Sequence, residues 1–226
     1  MAPTVLIVED DDAIRLVLRT NLEDEGYRAL EASTAERALE IMIDDSPGAL
    51  LVDLRLPGMQ GLGLVRAVRL RSQVPIIIVS AQADSHDVVA GLEAGADDYV
   101  TKPFVSKELM ARLRTVFRRI SQPESDEVEL ACGSIMLNAQ TAEVTVAGRS
   151  MPVSRIEYEV LAELIAARGK ILSRDYLLRN VWGYGNAGDG RVVDNLIYRL
   201  RVKLEQTPKA PQHLLTVRGF GYRLVE

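Results

Sequence analysis

The chain has 226 residues, of which 47% are hydrophobic and 26% are charged, and its formal net charge is -5. This composition excludes a disordered chain and fits one large or two ordinary globular domains. No apolar run approaches the roughly 18 residues that a membrane span needs, and a single cysteine, Cys132, excludes an internal disulfide. The start "MAPTVLIVEDD" lacks the basic segment of a signal peptide, so we expect a cytoplasmic protein that has no membrane partner.

The charge is distributed unevenly along the chain. Residues 1–121 carry 19 acidic and 14 basic side chains, whereas residues 164–225 carry 11 basic and 4 acidic ones. An acidic first part followed by a basic region indicates that the second part binds a polyanion.

Short apolar runs alternate with helical patterns over the first half of the chain. The runs predict five strands: "VLIV" (5–8), "YRAL" (27–30), "ALLVDL" (49–54), "PIIIVS" (75–80) and "DDYV" (97–100). Amphipathic patterns predict helices over about 12–25, from 33 onward, 61–71, 84–94 and 106–119. In the second helix, Ser33 and Glu36 have the spacing of a capping box. Strict alternation predicts an α/β fold with a doubly wound, five-stranded parallel sheet.

The pattern changes after the polar stretch "SQPESDE" (121–127), which indicates a linker. Short segments after it predict antiparallel strands, and helical patterns follow at about 155–167, 173–181 and 190–204. The end, "LLTVRGFGYRLVE", predicts a β-hairpin. We therefore predict an α/β domain over residues 1–120 and an α+β domain over residues 128–226.

Polar side chains are predicted to meet at the carboxyl edge of the parallel sheet, where open α/β sheets bind ligands. Glu9 and Asp10 follow the first strand, Asp53 the third, Ser80 the fourth and Lys102 the fifth. The three carboxylates are hard oxygen ligands that suit Mg²⁺. An ionised Asp53 beside the metal is a candidate nucleophile toward phosphorus, with the serine and the lysine as partners of the phosphoryl oxygens. For the acidic run taken alone, the alternative is a solvated loop that caps the next helix.

The motifs of the first half resemble the receiver domain of two-component response regulators. The resemblance rests on "VLIVEDD", "LLVDLRLPGMQG", "PIIIVSA" and "GLEAGADDYVTKPF" and covers residues 1 to about 120. It implies that Asp53 accepts a phosphoryl group from a partner histidine kinase. It also implies that Ser80 and Lys102 contact this group and that Tyr99 turns inward when Ser80 moves. The implied Mg²⁺ ligands are Glu9, Asp10, Asp53 and the backbone carbonyl of Arg55.

The second half resembles the winged-helix output domain of the OmpR/PhoB family of response regulators. The matching stretches are "VSRIEYEVLAELI", "LSRDYLLRNVWG", "RVVDNLIYRLRVKLE" and "LLTVRGFGYRLV". In the helix at 190–204, an apolar stripe is expected to pack inward: Val193, Leu196, Ile197, Leu200 and Leu204. The resemblance implies that this helix enters the major groove of double-stranded DNA and that the hairpin arginine reaches the minor groove. The candidate DNA contacts are Arg191, Asn195, Tyr198, Arg199, Arg201, Lys203 and Arg218.

Receivers of this family dimerise through their fourth helix, fifth strand and fifth helix, using ion pairs between subunits. The candidate residues here are Glu93 with Arg114, Asp98 with Arg112, and Glu108, whose usual basic partner is replaced by Val88. We therefore expect a homodimer that forms on phosphorylation and is weakened by one missing ion pair. This dimer is expected to bind direct repeats of DNA. Val88 is expected to add apolar contact instead.

The leading prediction is a phosphorylation-activated, sequence-specific DNA-binding transcription regulator. One alternative is an aspartate-nucleophile phosphohydrolase. Such enzymes carry a second carboxylate two residues after the nucleophile, and Arg55 occupies that position. The other alternative is a receiver whose output is a protein-interaction module, against which the basic region 164–225 argues.

Overall fold

The computed structural model describes residues 2–82, 84–118, 129–139, 141–183 and 190–226. The chain divides into two compact units, Met1–Phe117 and Arg118–Glu226. The predicted linker at 121–127 lies outside the described residues, so the predicted domain boundaries stay a prediction. Across the described ranges, no helix has both the length and the apolar character to cross a membrane.

The first unit is built on a sheet in which all strand pairs are parallel. Its strands are β1 (Thr4–Val8), β2 (Arg28–Ala32), β3 (Ala49–Val52), β4 (Ile76–Ser80) and β5 (Asp98–Thr101). Its helices are α1 (Asp12–Asp24), α2 (Ala35–Asp44), α3 (Gly61–Arg69), α4 (Ser85–Glu93) and α5 (Ser106–Arg118). The strand order β2-β1-β3-β4-β5 is that of a doubly wound, flavodoxin-like sheet, so the predicted fold is confirmed.

The sheet is buried on both faces, which explains why its strands are continuous apolar runs rather than alternating ones. All residues of β3 and β4 are buried, and so is every residue of β1 after Thr4. On one face, Ile7 packs in a cluster with Leu18 and Leu22 of α1 and with Leu109 of α5. This packing fixes the strand ends, and with them the side chains that follow each strand.

Side chains cap the first turns of α1 and α2, which begin near the carboxyl edge of the sheet. The Asp11 carboxylate caps α1, accepting two backbone N–H groups of the first turn at 2.8 and 3.0 Å, so one acid of the run caps the helix while its neighbours Glu9 and Asp10 do not. Thr34 caps α2. The predicted capping box between Ser33 and Glu36 is wrong because the Glu36 carboxylate instead accepts the N–H of Met59 at 3.0 Å.

The second unit has the predicted order of a small antiparallel sheet, three helices and a terminal hairpin. The sheet contains β6 (Glu129–Cys132), β7 (Ile135–Asn138), β8 (Val144–Val146) and β9 (Arg149–Ser150). The helices are α6 (Arg155–Ala166), α7 (Arg174–Trp182) and α8 (Gly190–Leu204), and the hairpin joins β10 (Leu214–Val217) to β11 (Gly221–Leu224). This is the winged-helix arrangement.

The apolar stripe of α8 packs inward, but its limits differ from the prediction. Val193, Leu196, Ile197 and Leu200 are buried as predicted. Val192 is buried too, whereas Leu204 is only partly covered. The buried stripe is therefore broader at the amino end of the helix than the sequence pattern indicates.

Candidate functional site

Three carboxylates meet where β1 and β3 end. Oxygen atoms of Glu9, Asp10 and Asp53 all lie within 4.8 Å of one another. Val8 is paired with Val52 in the β1–β3 ladder, so the next residue of each strand emerges at the same edge. Glu9 and Asp53 are buried, whereas Asp10 is exposed. The convergence predicted for these three residues is therefore confirmed.

The amine of Lys102 lies inside this acidic cluster. Its Nζ donates to Oδ2 of Asp53 at 2.5 Å and to Oε2 of Glu9 at 2.7 Å. Burial lowers the pKa of Lys102, but the hydrogen bonds with the two carboxylates outweigh burial and the net shift is upward. Burial raises the pKa of Glu9, and Lys102 opposes that shift. The charged amine thus offsets the repulsion between two buried carboxylates.

The donor set of the cluster fits Mg²⁺. Three carboxylates supply hard oxygen ligands, and the exposed side of Asp10 leaves room for the waters that Mg²⁺ retains. The backbone N–H of Arg55 donates to Oδ1 of Asp53 at 3.1 Å, which orients that carboxylate. Because Lys102 already binds two of the three carboxylates, a metal ion would share the cluster with the amine.

Ser80 and Tyr99 lie on the adjacent strands β4 and β5. Ser80 is fully buried, and the buried Tyr99 donates its hydroxyl to the backbone oxygen of Gln82 at 2.6 Å. Burial raises the pKa of Tyr99 to about 12, and a hydrogen bond with the side chain of Ser80 opposes this shift. The tyrosine ring therefore points inward and is linked to Ser80, although its predicted movement stays a prediction.

In the second unit, the outer face of α8 and the hairpin tip are exposed. Tyr198 and Val202 are 43% and 55% exposed, and Asn195 is half-buried one turn earlier. At the tip, Arg218 is exposed and Phe220 is 70% exposed. DNA-binding domains of this kind place an exposed helix face in one groove of DNA and a basic arm in the next groove. The exposed face of α8 and the basic hairpin turn are of these two types.

Two predicted contact residues of α8 bind a buried carboxylate of the same domain. Nε and Nη2 of Arg199 both lie 3.1 Å from Oε1 of Glu157, and Lys203 binds the other oxygen of this carboxylate at 2.6 Å. Glu157 is fully buried and forms a capping box with Ser154 at the start of α6. Arg199, whose side chain is 14% exposed, therefore packs inward, whereas Lys203 reaches the same carboxylate from an exposed position, and their expected DNA contacts stay a prediction. The spacing of Ser154 and Glu157 is a sequence signal that identifies this cap.

Arg201 also bonds within the domain. Its Nε donates to the backbone oxygen of Leu214 at 2.8 Å, and its Nη2 donates to Oγ1 of Thr216 at 2.8 Å. These two bonds join α8 to the first strand of the hairpin, so Arg201 holds the two elements together.

Comparisons with known proteins match both units. Residues 5–114 match the response regulator receiver domain, and residues 148–224 match the family described as "Transcriptional regulatory protein, C terminal". Transcriptional regulatory protein AfsQ1 of Streptomyces coelicolor is 40% identical over 98% of each chain. DNA-binding response regulator MtrA of Mycolicibacterium smegmatis is 39% identical over 99% of this chain and 97% of its own. The structure of DrrB, a Thermotoga maritima OmpR/PhoB homolog, is 28% identical over the whole of both chains, with a TM-score of 0.54.

The chain belongs to the OmpR/PhoB family of response regulators. It is a transcription regulator of the two-component type, in which a receiver domain is combined with a DNA-binding domain. The names of its relatives favour this interpretation over a phosphohydrolase or a protein-interaction output.

The basic residues that the sequence predicts at the dimer surface of this response regulator are engaged within the chain. The intrachain ion pairs are Arg112 with Asp98 at 3.0 Å, Arg112 with Glu108, and Arg114 with Glu25 at 2.6 Å. Glu93 is exposed on α4. Val88 is only 5% exposed, so its side chain packs within its own domain, and its expected apolar contact with a second copy stays a prediction.

Proposed function

We propose that Asp53 accepts a phosphoryl group from a sensor histidine kinase in the cytoplasm, and that this modification switches DNA binding by the second domain. The observation that carries the proposal is the acidic cluster. Asp53 is buried, two more carboxylates lie within 4.8 Å, and an amine lies 2.5 Å from Oδ2. Membership of the response regulator family supports the same assignment.

The transfer assigns a role to each residue at the edge of the sheet. An oxygen of Asp53 attacks the phosphorus of the kinase phosphohistidine, so a P–O bond forms while the P–N bond breaks and the imidazole leaves. The three carboxylates and the backbone carbonyl of Arg55 would hold Mg²⁺, which would supply positive charge beside the phosphoryl oxygens. The Lys102 amine and the Ser80 hydroxyl donate hydrogen bonds to those oxygens. Inward packing of Tyr99 then holds the segment after β4 in the position set by Ser80.

Mass measurement tests the phosphoacceptor directly. Wild-type protein incubated with acetyl phosphate and Mg²⁺ is expected to gain the mass of one phosphoryl group, and Asp53→Asn is expected to gain none. Asp10→Asn keeps the nucleophile but removes one negative charge from the cluster, so it serves as the matched variant and requires more Mg²⁺ for the same gain. An equal gain in Asp53→Asn would place the phosphoryl group elsewhere.

The outer face of α8 is proposed to bind in the major groove and the hairpin tip in the adjacent minor groove. Arg191, Asn195 and Tyr198 supply the helix contacts, and Arg218 supplies the hairpin contact. Because Arg199, Arg201 and Lys203 bond within the domain, we assign them to holding α8 in place. Two copies on a direct repeat would lie about one helical turn apart, roughly 10–11 bp.

Binding titrations at several salt concentrations separate the two kinds of contact. Arg218→Ala is expected to weaken binding to every sequence alike and to reduce the salt slope by about one unit. Asn195→Ala is expected to relax specificity at one base pair, by about 1–3 kcal/mol. Wild-type behaviour of both variants would contradict the proposed surface.

Phosphorylation is proposed to promote a homodimer through α4, β5 and α5. Glu93 would pair with Arg114, and Asp98 with Arg112, across the subunits. Arg114 would have to leave Glu25, and Arg112 would exchange its partner within the chain for the equivalent one. One of the three usual ion pairs is missing, and an exposed pair contributes about 0–1 kcal/mol, so its loss should weaken the dimer without abolishing it. We expect phosphorylation to strengthen this dimer. Sedimentation that gives one mass in both states, over a wide concentration range, would refute this.

A further inference from the structure

A polar network joins α8 to the start of α7 and to strand β11. The Tyr222 hydroxyl donates to Oδ1 of Asp194 at 2.5 Å, and Nε of Arg174 donates to the same oxygen at 2.5 Å. Nη2 of Arg174 donates to the Tyr222 hydroxyl at 2.9 Å, and the guanidinium lies over the tyrosine ring, 4.9 Å from its centroid. The side chains of Arg174, Asp194 and Tyr222 are therefore all hydrogen-bonded to one another.

The backbone holds β11 from a second direction. Leu172, which lies between α6 and α7, exchanges two backbone hydrogen bonds with Tyr222, at 2.8 and 2.9 Å. Gly221 makes this approach possible, because its φ is +143° and a Cβ there would lie 2.0 Å from the Leu172 oxygen. The backbone therefore sets the position of β11 relative to α7, and the Tyr222 hydroxyl adds a link to α8 beside the two bonds by which Arg201 joins α8 to β10.

The location of Asp194 points to a role beyond stability. It directly precedes Asn195 on the exposed side of α8, and 47% of its side chain is exposed. A carboxylate beside a DNA-facing surface repels phosphate, and a partly exposed ion pair contributes little to folding. Asp194 instead links α8 to the hairpin, whose tip carries Arg218 and the exposed Phe220.

We propose that Arg174, Asp194 and Tyr222 form a positioning network that holds the hairpin tip at a set distance from the outer face of α8. A hairpin that is already in place loses less conformational freedom on binding, so the minor-groove contact of Arg218 contributes more to affinity. The network thereby couples the minor-groove contact to the major-groove contacts of α8. This inference rests on the proposed DNA-facing surface.

A double-mutant cycle in the full-length chain tests the network. Tyr222→Phe removes the hydroxyl but keeps the ring, and it is combined with Arg218→Ala on a DNA site selected by the wild-type protein. In the wild-type background, Arg218→Ala is expected to weaken binding roughly tenfold. In the Tyr222→Phe background the loss is expected to be about threefold or less, because the hairpin keeps its Leu172 and Arg201 bonds but loses the link to Asp194 and holds the arginine in place less often.

Tyr158→Phe is the matched control. Tyr158 is another buried tyrosine of the same domain, and its hydroxyl donates to the backbone oxygen of Asn138 at 3.3 Å. Arg218→Ala is expected to keep its full effect in that background. If Tyr222→Phe does not fold, Asp194→Asn provides the second variant, because it keeps the shape of the acceptor and removes its charge. Thermal unfolding of every variant is measured in parallel.

The results of these experiments distinguish a failure of the positioning network from a failure of the proposed DNA-facing surface. If Arg218→Ala weakens binding by the same factor in the wild-type and Tyr222→Phe backgrounds, the positioning role is overturned and the DNA-facing surface stands. A lower unfolding temperature with unchanged coupling likewise leaves only a structural role. If Arg218→Ala and Asn195→Ala both bind as tightly as wild type, the DNA-facing surface is wrong and the network has nothing to position.

Discussion

At the scale of single residues, Lys102 sets the charge balance of the receiver site. Its amine binds two of the three carboxylates that would hold a metal ion. A lysine in that position makes the cluster stable without metal, and it also competes with a cation for the same oxygens. The same side chain would therefore oppose metal binding in the resting site, and it would neutralise added charge once the proposed phosphoryl group is present.

Replacing Lys102 by Met should strengthen the stabilising effect of Mg²⁺. The change keeps a long side chain but leaves the carboxylates without their amine, so the cation becomes their main source of positive charge. Each tenfold gain in affinity adds about 1.4 kcal/mol at saturating Mg²⁺. Thermal unfolding with and without Mg²⁺ measures the effect, with the exposed Lys107→Met as control. The same Mg²⁺ response in Lys102→Met and wild type would argue against competition.

Glu157 should make the second domain sensitive to acid. Burial raises its pKa, but Arg199 and Lys203 outweigh burial and hold the pKa below the ordinary value of 4.5. A carboxyl group with a lowered pKa stabilises the fold above its unfolded-state pKa, and this stability is lost as the pH falls through the folded-state value. Glu157→Gln should therefore cost about 2–3 kcal/mol at neutral pH and progressively less in the acid range.

Chemical denaturation as a function of pH measures this effect. Glu143→Gln, at an exposed position of the same domain, is expected to change little at any pH. A stability loss in Glu157→Gln that stays constant from neutral to strongly acidic pH would show that the charge of Glu157 is not responsible.

At the scale of elements, α8 presents two neighbouring residues to different surroundings. Arg199 faces the buried Glu157, whereas Tyr198 is 43% exposed. Arg199→Ala should lower the free energy of unfolding by about 1–3 kcal/mol, because it removes a partner of a buried carboxylate. Tyr198→Ala should change it by about 0.5 kcal/mol or less but relax DNA discrimination. Chemical denaturation measures the stability effect, and binding to selected and scrambled DNA measures the discrimination effect. If Tyr198→Ala destabilised the fold and Arg199→Ala only relaxed discrimination, the inward and outward faces of α8 would be misassigned.

The elements also show what the sequence alone can predict. The sheet and the convergence of Glu9, Asp53 and Lys102 follow from apolar periodicity and from the rule that parallel strands end at one edge. The orientation of Arg199 depends instead on a carboxylate 42 positions away in the chain, which helical periodicity does not describe. The link between Asp194 and Tyr222 likewise joins distant segments, so only the folded chain reveals it.

At the scale of the whole molecule, the two domains divide the chemistry between them. The acidic first part carries the carboxylate cluster, and the second part carries the exposed helix face and the basic hairpin tip. The uneven distribution of acidic and basic residues along the chain predicts that the two parts have these different roles. The charge count does not show which basic residues bond within the domain, as Arg199, Arg201 and Lys203 do.

The central claim is that a phosphoryl group on Asp53 changes DNA binding by the second domain. The most direct test measures the affinity of full-length wild type and Asp53→Asn for one selected direct-repeat fragment, with and without acetyl phosphate and Mg²⁺. Wild-type affinity is predicted to rise, roughly 5- to 150-fold as is typical of coupling between two sites, and that of Asp53→Asn to stay constant. An equal rise in Asp53→Asn, or no change in wild type whose phosphorylation has been verified by mass, would contradict the account.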